Sequence, residues 1–393
     1  MTTETQRNTE ALLGVYRPAG PTFVGGQGSE LIAEDGTRYL DFTAGIAVNA
    51  LGYGDPAFSD AVREALDSGL VHTSNLFHTR PAAELASWLA EHSFADRVFF
   101  CNSGAEANEG AFKFARRWAK ANGGEEKVEI VAFRDGFHGR TFGALAATDR
   151  PGYQQPFLPL MPGVRFGQVG DLNELPSLIE GSRTAAVIIE PIQAEGGVLP
   201  VDAAFLRALR EICDREKVLL IFDEVQVGLG RTGTLWAHEA FGVEPDIMTL
   251  AKPLAGGLPM GAVLLREHVA QALQPGDHAT TFGGGPLVAS AALAVCRKIG
   301  DPGFLAAIRR KGELIAERLS ALALQRDNVV AVRGSGLIWG IELTGSAGDV
   351  VAAALEARLL LVGAGPRVVR LVPPLTISEE DLLRGLTTLE TLL

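Results

Sequence analysis

Residues 218–252 read VLLIFDEVQVGLGRTGTLWAHEAFGVEPDIMTLAK and contain two short apolar runs, each followed by a charged residue. The first run, Val218 to Phe222, has the length and composition of a strand buried in a mostly parallel sheet, and Asp223 follows it. The second run, residues 246–251, leads directly to Lys252. Open α/β sheets bind their ligands outside the carboxyl ends of their strands. The stretch therefore predicts a ligand site that contains an acid and a lysine.

This stretch resembles the core of the class III pyridoxal-phosphate aminotransferases, through DEVQ at 223–226 and the lysine that ends the next strand. A lysine amine can hold an aldehyde cofactor as a Schiff base if its site lowers its proton affinity. A carboxylate beside the pyridine nitrogen keeps that nitrogen protonated, so the ring accepts electrons from a substrate carbanion. The resemblance implies that Lys252 holds pyridoxal phosphate and that Asp223 pairs with its pyridine nitrogen. It also implies cofactor contacts from Val225 and from Gln226, the latter at the phenolic oxygen.

A competing interpretation comes from residues 228–233, GLGRTG, which match the dinucleotide fingerprint G-x-G-x-x-G after a strand. In an NAD-dependent dehydrogenase the first glycine turns directly off the strand, so that backbone amides meet the pyrophosphate. Here Asp223 and Glu224 occupy that turn, and their charge would repel a phosphate. We therefore interpret the glycines as a loop beyond the acid and keep the dehydrogenase as the less favoured alternative.

Composition limits the classes of protein and partner. The 393 residues are 47% hydrophobic and 21% charged, which is typical of a globular protein of two or three domains. A formal net charge of -12 argues against a nucleic-acid or anionic-membrane partner. The first 18 residues lack the apolar core of a signal peptide, and no apolar run is long enough to span a bilayer. The widely spaced Cys101, Cys213 and Cys296 predict neither disulfides nor a metal site and favour a cytoplasmic location.

Residues 102–108, NSGAEAN, follow the predicted strand Arg97 to Cys101 and open a predicted helix that runs through Trp118. A Ser-Gly-Ala turn at a helix N-terminus presents backbone amides and the positive end of a dipole, which together bind anions. An ordinary capped helix start is the alternative interpretation of the turn alone. The family uses this motif to hold the cofactor phosphate, so the resemblance assigns that role to Ser103, Gly104 and Ala105.

Residues 136–141, GFHGRT, follow another predicted strand, residues 128–133. The resemblance implies that Phe137 stacks on the pyridine ring. It also implies that Arg140 binds a substrate carboxylate, for which the planar guanidinium fork is suited. We interpret His138 as structural, because the lysine freed during catalysis can move the proton itself.

Two further segments concern the substrate. Residues 190–197, EPIQAEGG, follow the apolar strand 185–189, and residues 368–377, VVRLVPPLTI, resemble the family's C-terminal carboxylate-binding motif. The resemblance implies that Arg370 binds the α-carboxylate of glutamate, and that Glu195 pairs with Arg370 when no α-carboxylate is present. A cap for the Gly196-Gly197 turn is the alternative role for Glu195.

The segment 280–286, TTFGGGP, resembles one that reaches the cofactor phosphate of the neighbouring subunit. It implies an intersubunit contact from Thr281 and a substrate contact from Thr280. Gly45 stands where relatives that use free ornithine carry a tyrosine, so it would leave room for an acylated substrate. A turn glycine is an equally good interpretation of Gly45.

Strand and helix patterns alternate from about residue 55 to residue 285 and then change. We therefore predict an α/β protein of the fold-type-I pyridoxal-phosphate class, with a mostly parallel sheet flanked by helices and a smaller α/β domain. The expected division is an N-terminal arm and hairpin (1–54), a large cofactor-binding domain (55–286) and a small C-terminal domain (287–393).

Within class III, HTSNLF (72–77) and GALAAT (143–148) are most similar to acetylornithine aminotransferases. The implied reaction moves the δ-amino group of N-acetylornithine to 2-oxoglutarate, for arginine synthesis, in a homodimer with shared active sites. The alternatives are class III enzymes that act on ornithine, succinyldiaminopimelate, 4-aminobutyrate or carrier-linked amines. A non-enzymatic binding protein on this fold would lack the lysine, and Lys252 is present.

Overall fold

The computed structural model describes residues 11–16, 18 and 20–393, and in this part of the chain the strands form four sheets. The first ten residues of the predicted N-terminal arm lie outside the described residues. In chain order the strands are β1 (Phe23–Gln27), β2 (Glu30–Ala33), β3 (Arg38–Asp41), β4 (Arg97–Cys101), β5 (Glu129–Phe133), β6 (Val164–Gly167), β7 (Thr184–Ile189), β8 (Ile192–Gln193), β9 (Leu199–Pro200), β10 (Leu219–Asp223), β11 (Ile247–Leu250), β12 (Gly261–Leu265), β13 (Val329–Ser335), β14 (Ile338–Leu343), β15 (Leu359–Leu360), β16 (Val362–Gly363) and β17 (Val368–Leu371).

Helices connect these strands. In chain order they are α1 (Ala44–Ala47), α2 (Pro56–Asp67), α3 (Arg80–Glu91), α4 (Gly104–Gly123), α5 (Phe142–Ala146), α6 (Pro151–Gln154), α7 (Leu175–Leu178), α8 (Ala203–Glu216), α9 (Glu267–Ala270), α10 (Pro286–Ile299), α11 (Pro302–Gln325), α12 (Ala347–Glu356) and α13 (Glu379–Leu392), with 3-10 turns at Gln155–Phe157 and Ala237–Phe241. Among the described residues, no helix combines the length and the apolar character needed to cross a bilayer.

The central sheet has seven strands in the order β4-β12-β11-β10-β7-β5-β6. Strands β11, β10, β7, β5 and β6 are parallel, and β12 runs antiparallel to both of its neighbours. Every residue of β7, β10, β11 and β12 is buried, as expected for apolar runs covered on both faces. The predicted mostly parallel sheet flanked by helices is confirmed.

Side-chain alternation along β10 determines which helix each of its residues meets. Leu219 and Ile221 pack in the cluster that contains α4, whereas Leu220 and Phe222 pack with α8 on the other face. Because successive side chains of a strand point to opposite faces, Asp223 continues the row of Leu219 and Ile221. The carboxylate therefore lies on the α4 face of the sheet, as the last residue of the strand.

A second, antiparallel sheet, β13-β14-β17-β16, carries Arg370 on β17. Gly340 on β14 lies opposite Arg370, and a Cβ at Gly340 would come within 3.0 Å of Val198 Cβ. This close approach brings β17 against the segment that follows Glu195. The N-terminal strands form a third sheet, β1-β2-β3-β15, whose last strand comes from residues 359–360. The division of the chain into domains at residues 54 and 286 stays a prediction.

Candidate active site

The first turn of α4 lies against the residues that follow β10. Ser103 is the N-cap, and its Oγ accepts a hydrogen bond from Glu106 N at 3.2 Å. Gly104 follows, and a Cβ there would meet Val225 Cγ1 at 2.6 Å. Because the first amides of a helix have no intrahelical acceptor, those of Gly104 and Ala105 are available to an anion.

Asp223 is buried and held on both carboxylate oxygens. Its Oδ2 lies 2.8 Å from Asn108 Nδ2 and 2.8 Å from His138 Nδ1, and its Oδ1 accepts from Val225 N at 3.0 Å. Asn108 is itself oriented by Thr249, whose hydroxyl donates to Asn108 Oδ1 at 2.8 Å. The sequence predicted no role for Asn108 and a structural one for His138. Both side chains position the acid, and the only signal for this in the sequence was that each lies in a motif assigned to the site.

Lys252 follows β11, next to β10 in the sheet, and its side chain is half-buried. Burial lowers the pKa of Lys252 to about 8, since desolvation outweighs the nearby carboxylates of Glu195, Glu190 and Asp223, and Arg370 lowers it further. A lysine amine must be neutral to attack a carbonyl carbon. Near physiological pH, the neutral fraction of Lys252 is therefore larger than that of an exposed lysine.

Glu190 links two loops at the edge of the site. Its Oε1 accepts from Phe137 N at 2.9 Å and its Oε2 accepts from Ala194 N at 3.1 Å. Burial raises the pKa of Glu190 to about 7; His138 opposes this rise and Asp223 adds to it. The sequence predicted no role for Glu190; in the structure its carboxylate connects the Phe137 loop to the Glu195 loop.

Arg370, Glu195 and Gln226 form a closed cluster. Arg370 is buried, and its Nη1 lies 2.6 Å from Glu195 Oε1 and 2.8 Å from Gln226 Oε1. Gln226 Nε2 donates to Glu195 Oε1 at 3.2 Å. Burial alone would raise the pKa of Glu195, but the charges of Arg370 and Lys252 hold it below its ordinary value. The cluster is thus an ion pair with an amide bridging both members.

Arg140 and the loop that carries Thr280 and Thr281 lie at the solvent-facing edge of the site. The Arg140 guanidinium carbon is 5.8 Å from the centroid of the Phe137 ring. Thr280 Oγ1 accepts from Asn102 Nδ2 at 3.1 Å, which places its loop beside the start of α4 in the same chain, and Thr281 is exposed. The substrate role of Thr280 and the intersubunit contact of Thr281 stay predictions.

The GLGRTG loop does not form a dinucleotide site. A Rossmann fingerprint opens a helix directly after its strand, but in the described structure no helix begins between residues 224 and 236. Arg231 of this loop is buried instead, and its Nη1 donates to Leu337 O at 3.1 Å and to Pro373 O at 2.5 Å. The glycines therefore shape a buried loop, and the dehydrogenase interpretation is wrong.

Comparison with known proteins agrees with this geometry. The chain is 52% identical to the mitochondrial acetylornithine aminotransferase of Alnus glutinosa over 94% of this chain and 83% of that protein. It is 45% identical to the succinylornithine transaminase of Salmonella paratyphi A, over 96% and 93% of the two chains. The ornithine aminotransferase of Toxoplasma gondii, solved with partial occupancy of pyridoxal phosphate at its active site, superposes with a TM-score of 0.93 at 30% identity, over 100% and 94% of the chains. The sequence model of the class-III aminotransferases matches residues 19–393, and the chain belongs to that family.

Proposed function

We propose that this enzyme transfers the δ-amino group of N-acetylornithine to 2-oxoglutarate, giving N-acetylglutamate semialdehyde and glutamate for arginine synthesis. The Arg370–Glu195 ion pair beside Lys252 carries the proposal, because a site that accepts two differently charged amino donors needs an arginine that can be neutralised. The similarity to acetylornithine and succinylornithine enzymes supports an N-acylated ornithine over the other donors.

The residues present fit pyridoxal phosphate. A glycine at position 104 and the unfilled amides at the start of α4 suit its phosphate, the buried Asp223 suits a protonated pyridine nitrogen, and Lys252 has the lowered pKa that binding an aldehyde requires. Phe137 supplies an aromatic ring, and Gln226 keeps one amide hydrogen beyond its bond to Glu195. We therefore propose that Lys252, Asp223, Phe137, Gln226 and the 103–105 turn hold this cofactor.

The bound cofactor supplies an electron-accepting ring beside the carbon that carries the transferred amine. Asp223 maintains the charge that makes this ring electron-poor, and Asn108 and His138 hold Asp223 in place. Lys252 Nζ takes up the substrate's proton and returns it, as its pKa of about 8 permits in both directions near neutral pH.

The two substrates differ in how many carboxylates they bring. In the proposal, Arg140 holds the carboxylate far from the reacting carbon in both half-reactions, and Arg370 holds the α-carboxylate of glutamate. N-acetylornithine offers Arg370 no anion, and an unpaired buried charge costs several kcal/mol. Glu195 removes that cost by pairing with Arg370, and it releases Arg370 when glutamate arrives.

Replacing Glu195 with glutamine tests this exchange. Glu195→Gln keeps the size of the side chain and removes its charge, so the N-acetylornithine half-reaction should slow at least tenfold. The glutamate half-reaction should persist or quicken, because Arg370 no longer has to leave a carboxylate. Both are measured as single-turnover changes in cofactor absorbance, with the exposed Glu211→Gln on α8 as the matched control. Equal changes in the two half-reactions would contradict the exchange.

A substrate panel tests the amino donor. N-acetylornithine, N-succinylornithine, ornithine and 4-aminobutyrate are offered separately at equal concentration, and kcat/KM is compared. The first is expected to be the best donor, and N-succinylornithine is the second candidate, because of the 45% identity to the Salmonella enzyme. Gly45 has a φ of +62, which favours a residue without a side chain, and Ala47, two residues on, belongs to the buried cluster that contains Ala194, next to Glu195. The missing side chain at position 45 would explain an acyl preference. Ornithine as the best donor would overturn the proposal.

We also propose a homodimer in which Thr281 reaches the partner's cofactor phosphate. Leu76, Phe77 and Phe282 are 87%, 70% and 67% exposed around the Thr281 loop, and exposed apolar side chains grouped in this way are typical of a protein–protein contact. Sedimentation velocity at the assay concentration should therefore give a dimer. A fully active monomer would contradict this arrangement.

A cytoplasmic location is the accompanying proposal. The three cysteines are free and buried, as is usual in a reducing compartment. Because the Alnus relative is named mitochondrial, cell fractionation with compartment markers is the appropriate test.

A further inference from the structure

Arg140 is held by an aromatic ring rather than by an acid. Its guanidinium carbon lies 3.5 Å from the centroid of the Tyr153 ring, and 5.8 Å from that of Phe137. Among the described residues, no carboxylate lies within ion-pair distance of Arg140 and no hydrogen bond involves its side chain. Arg140 is exposed and Tyr153 is 40% exposed. The pair is thus a stacked cation at the rim of the site.

Such a stack orients an arginine without neutralising it. A guanidinium over an aromatic face gains electrostatic attraction and loses rotamer freedom, yet its N–H groups at the edge of the plane remain available. An acidic partner would instead occupy the fork that a substrate carboxylate needs. A free arginine on a flexible stem would have to be ordered by the substrate itself, which weakens binding.

The segment that carries Tyr153 is fastened by its neighbours on either side, although it is a helix of a single turn, α6. Gln154 Nε2 donates to Leu145 O at 3.1 Å and to Thr148 O at 2.8 Å, and so fastens α6 to the end of α5. Arg150, at the N-cap of α6, donates from Nη2 to Glu195 O at 3.1 Å. The ring that supports Arg140 is therefore carried by a segment bonded to the Glu195 loop.

From this geometry we propose that Tyr153 is the positioning residue for substrate carboxylates: its ring holds the Arg140 fork in place for both substrates. The inference rests on the proposed role of Arg140. The aromatic face, not the hydroxyl, does this work, since no described residue hydrogen-bonds to Tyr153 Oη. Tyr153 contributes to binding and not to the proton transfer, because its contact is with the arginine.

Four variants of the holoenzyme test the inference: Tyr153→Phe, Tyr153→Leu, Tyr153→Ala and Arg140→Ala. The probe is glutarate, a dicarboxylate without an amine, whose Kd is measured by calorimetry. Loss of a cation–π stack should weaken glutarate binding about tenfold in Tyr153→Leu and Tyr153→Ala, and Tyr153→Phe should match the wild type. KM for N-acetylornithine and for 2-oxoglutarate should rise by the same factor at unchanged kcat.

Phe94→Leu is the matched control, since Arg266 lies 5.3 Å from the Phe94 ring, where β12 ends away from the site. It should leave glutarate binding unchanged. Wild-type binding in Tyr153→Ala together with weak binding in Arg140→Ala would overturn the inference and leave the role of Arg140 standing. Wild-type binding in Arg140→Ala would overturn that role as well. Equal weakening of glutarate binding in Tyr153→Phe and Tyr153→Leu would also overturn the inference about Tyr153, because the aromatic ring would then not be what positions Arg140.

Discussion

Lys252 illustrates how burial prepares one side chain for chemistry at a cost in stability. Its pKa falls from 10.5 in a free side chain to about 8 in the folded protein. Between these two pH values the unfolded chain therefore binds more protons than the folded protein, so the free energy of unfolding rises as the pH goes from about 8 to 10.5. Below pH 8 the buried charge destabilises the folded protein by its full amount. The proposed role of Lys252 requires this environment, although it lowers the stability of the folded protein.

Replacing this lysine with methionine should separate the two effects. Lys252→Met is expected to lower kcat by about four orders of magnitude or more, because it removes the proposed covalent catalyst. The cofactor-free variant should be more stable than cofactor-free wild type by on the order of 2 kcal/mol at pH 7, and this gain should disappear by about pH 11. Urea unfolding at the two pH values measures it. A gain that is equal at both pH values would contradict a buried charge as its cause.

The start of α4 shows why a helix end needs a glycine at one position. Gly104 lets Val225, two residues beyond β10, pack within 2.6 Å of where a Cβ would stand. The same approach brings the helix amides and the end of the strand to one point. The sequence motif predicted an anion site here, and the contact with Val225 explains why position 104 of that motif is a glycine.

Gly104→Ala is therefore expected to displace Val225 and to weaken pyridoxal-phosphate binding roughly tenfold, in line with the cost of overpacking. Titration of cofactor-free protein, followed by visible absorbance, gives the Kd. Gly110→Ala is the matched control in the same helix, since its Cβ would meet Val263 at an ordinary 3.4 Å. If both variants bound the cofactor equally well, the packing explanation would fail.

Asp223 and Lys252 belong to the central sheet, whereas Arg370 belongs to the β13-β14-β17-β16 sheet. A contact between the GLGRTG loop and the β13–β14 turn joins these two parts of the site. Arg231 donates to Leu337 O and Pro373 O, and Leu337 N donates back to Arg231 O at 2.9 Å. A Cβ at Gly336 would lie 2.5 Å from Thr232 C, with the backbone at φ +53. This junction sets the position of β17, and so of Arg370, relative to the central sheet.

Gly336→Ala should therefore destabilise the protein by about 2–4 kcal/mol, from the left-handed backbone and the clash together. Gly365→Ala is the matched control, because Gly365 has φ +84 but nothing within 4 Å of its Cβ position. It should cost only about 1 kcal/mol, the backbone part alone. Denaturant unfolding of both variants measures the difference, and similar losses would show that the junction is not tightly packed.

The amino-acid sequence by itself determined the strands, the mostly parallel sheet and the acid and lysine at two strand ends, because these depend on local periodicity and on motifs of a few residues. Only the tertiary structure decided which partners these residues have. Asn108 and His138 reach Asp223 across 115 and 85 residues of chain, and no local pattern encodes such pairs. The Tyr153 stack under Arg140 and the burial of Arg231 were likewise not predictable from the sequence, since both depend on how loops pack after the sheet has formed. A side chain's chemistry follows from its residue type, but its pKa, orientation and partner depend on the neighbours that folding places around it.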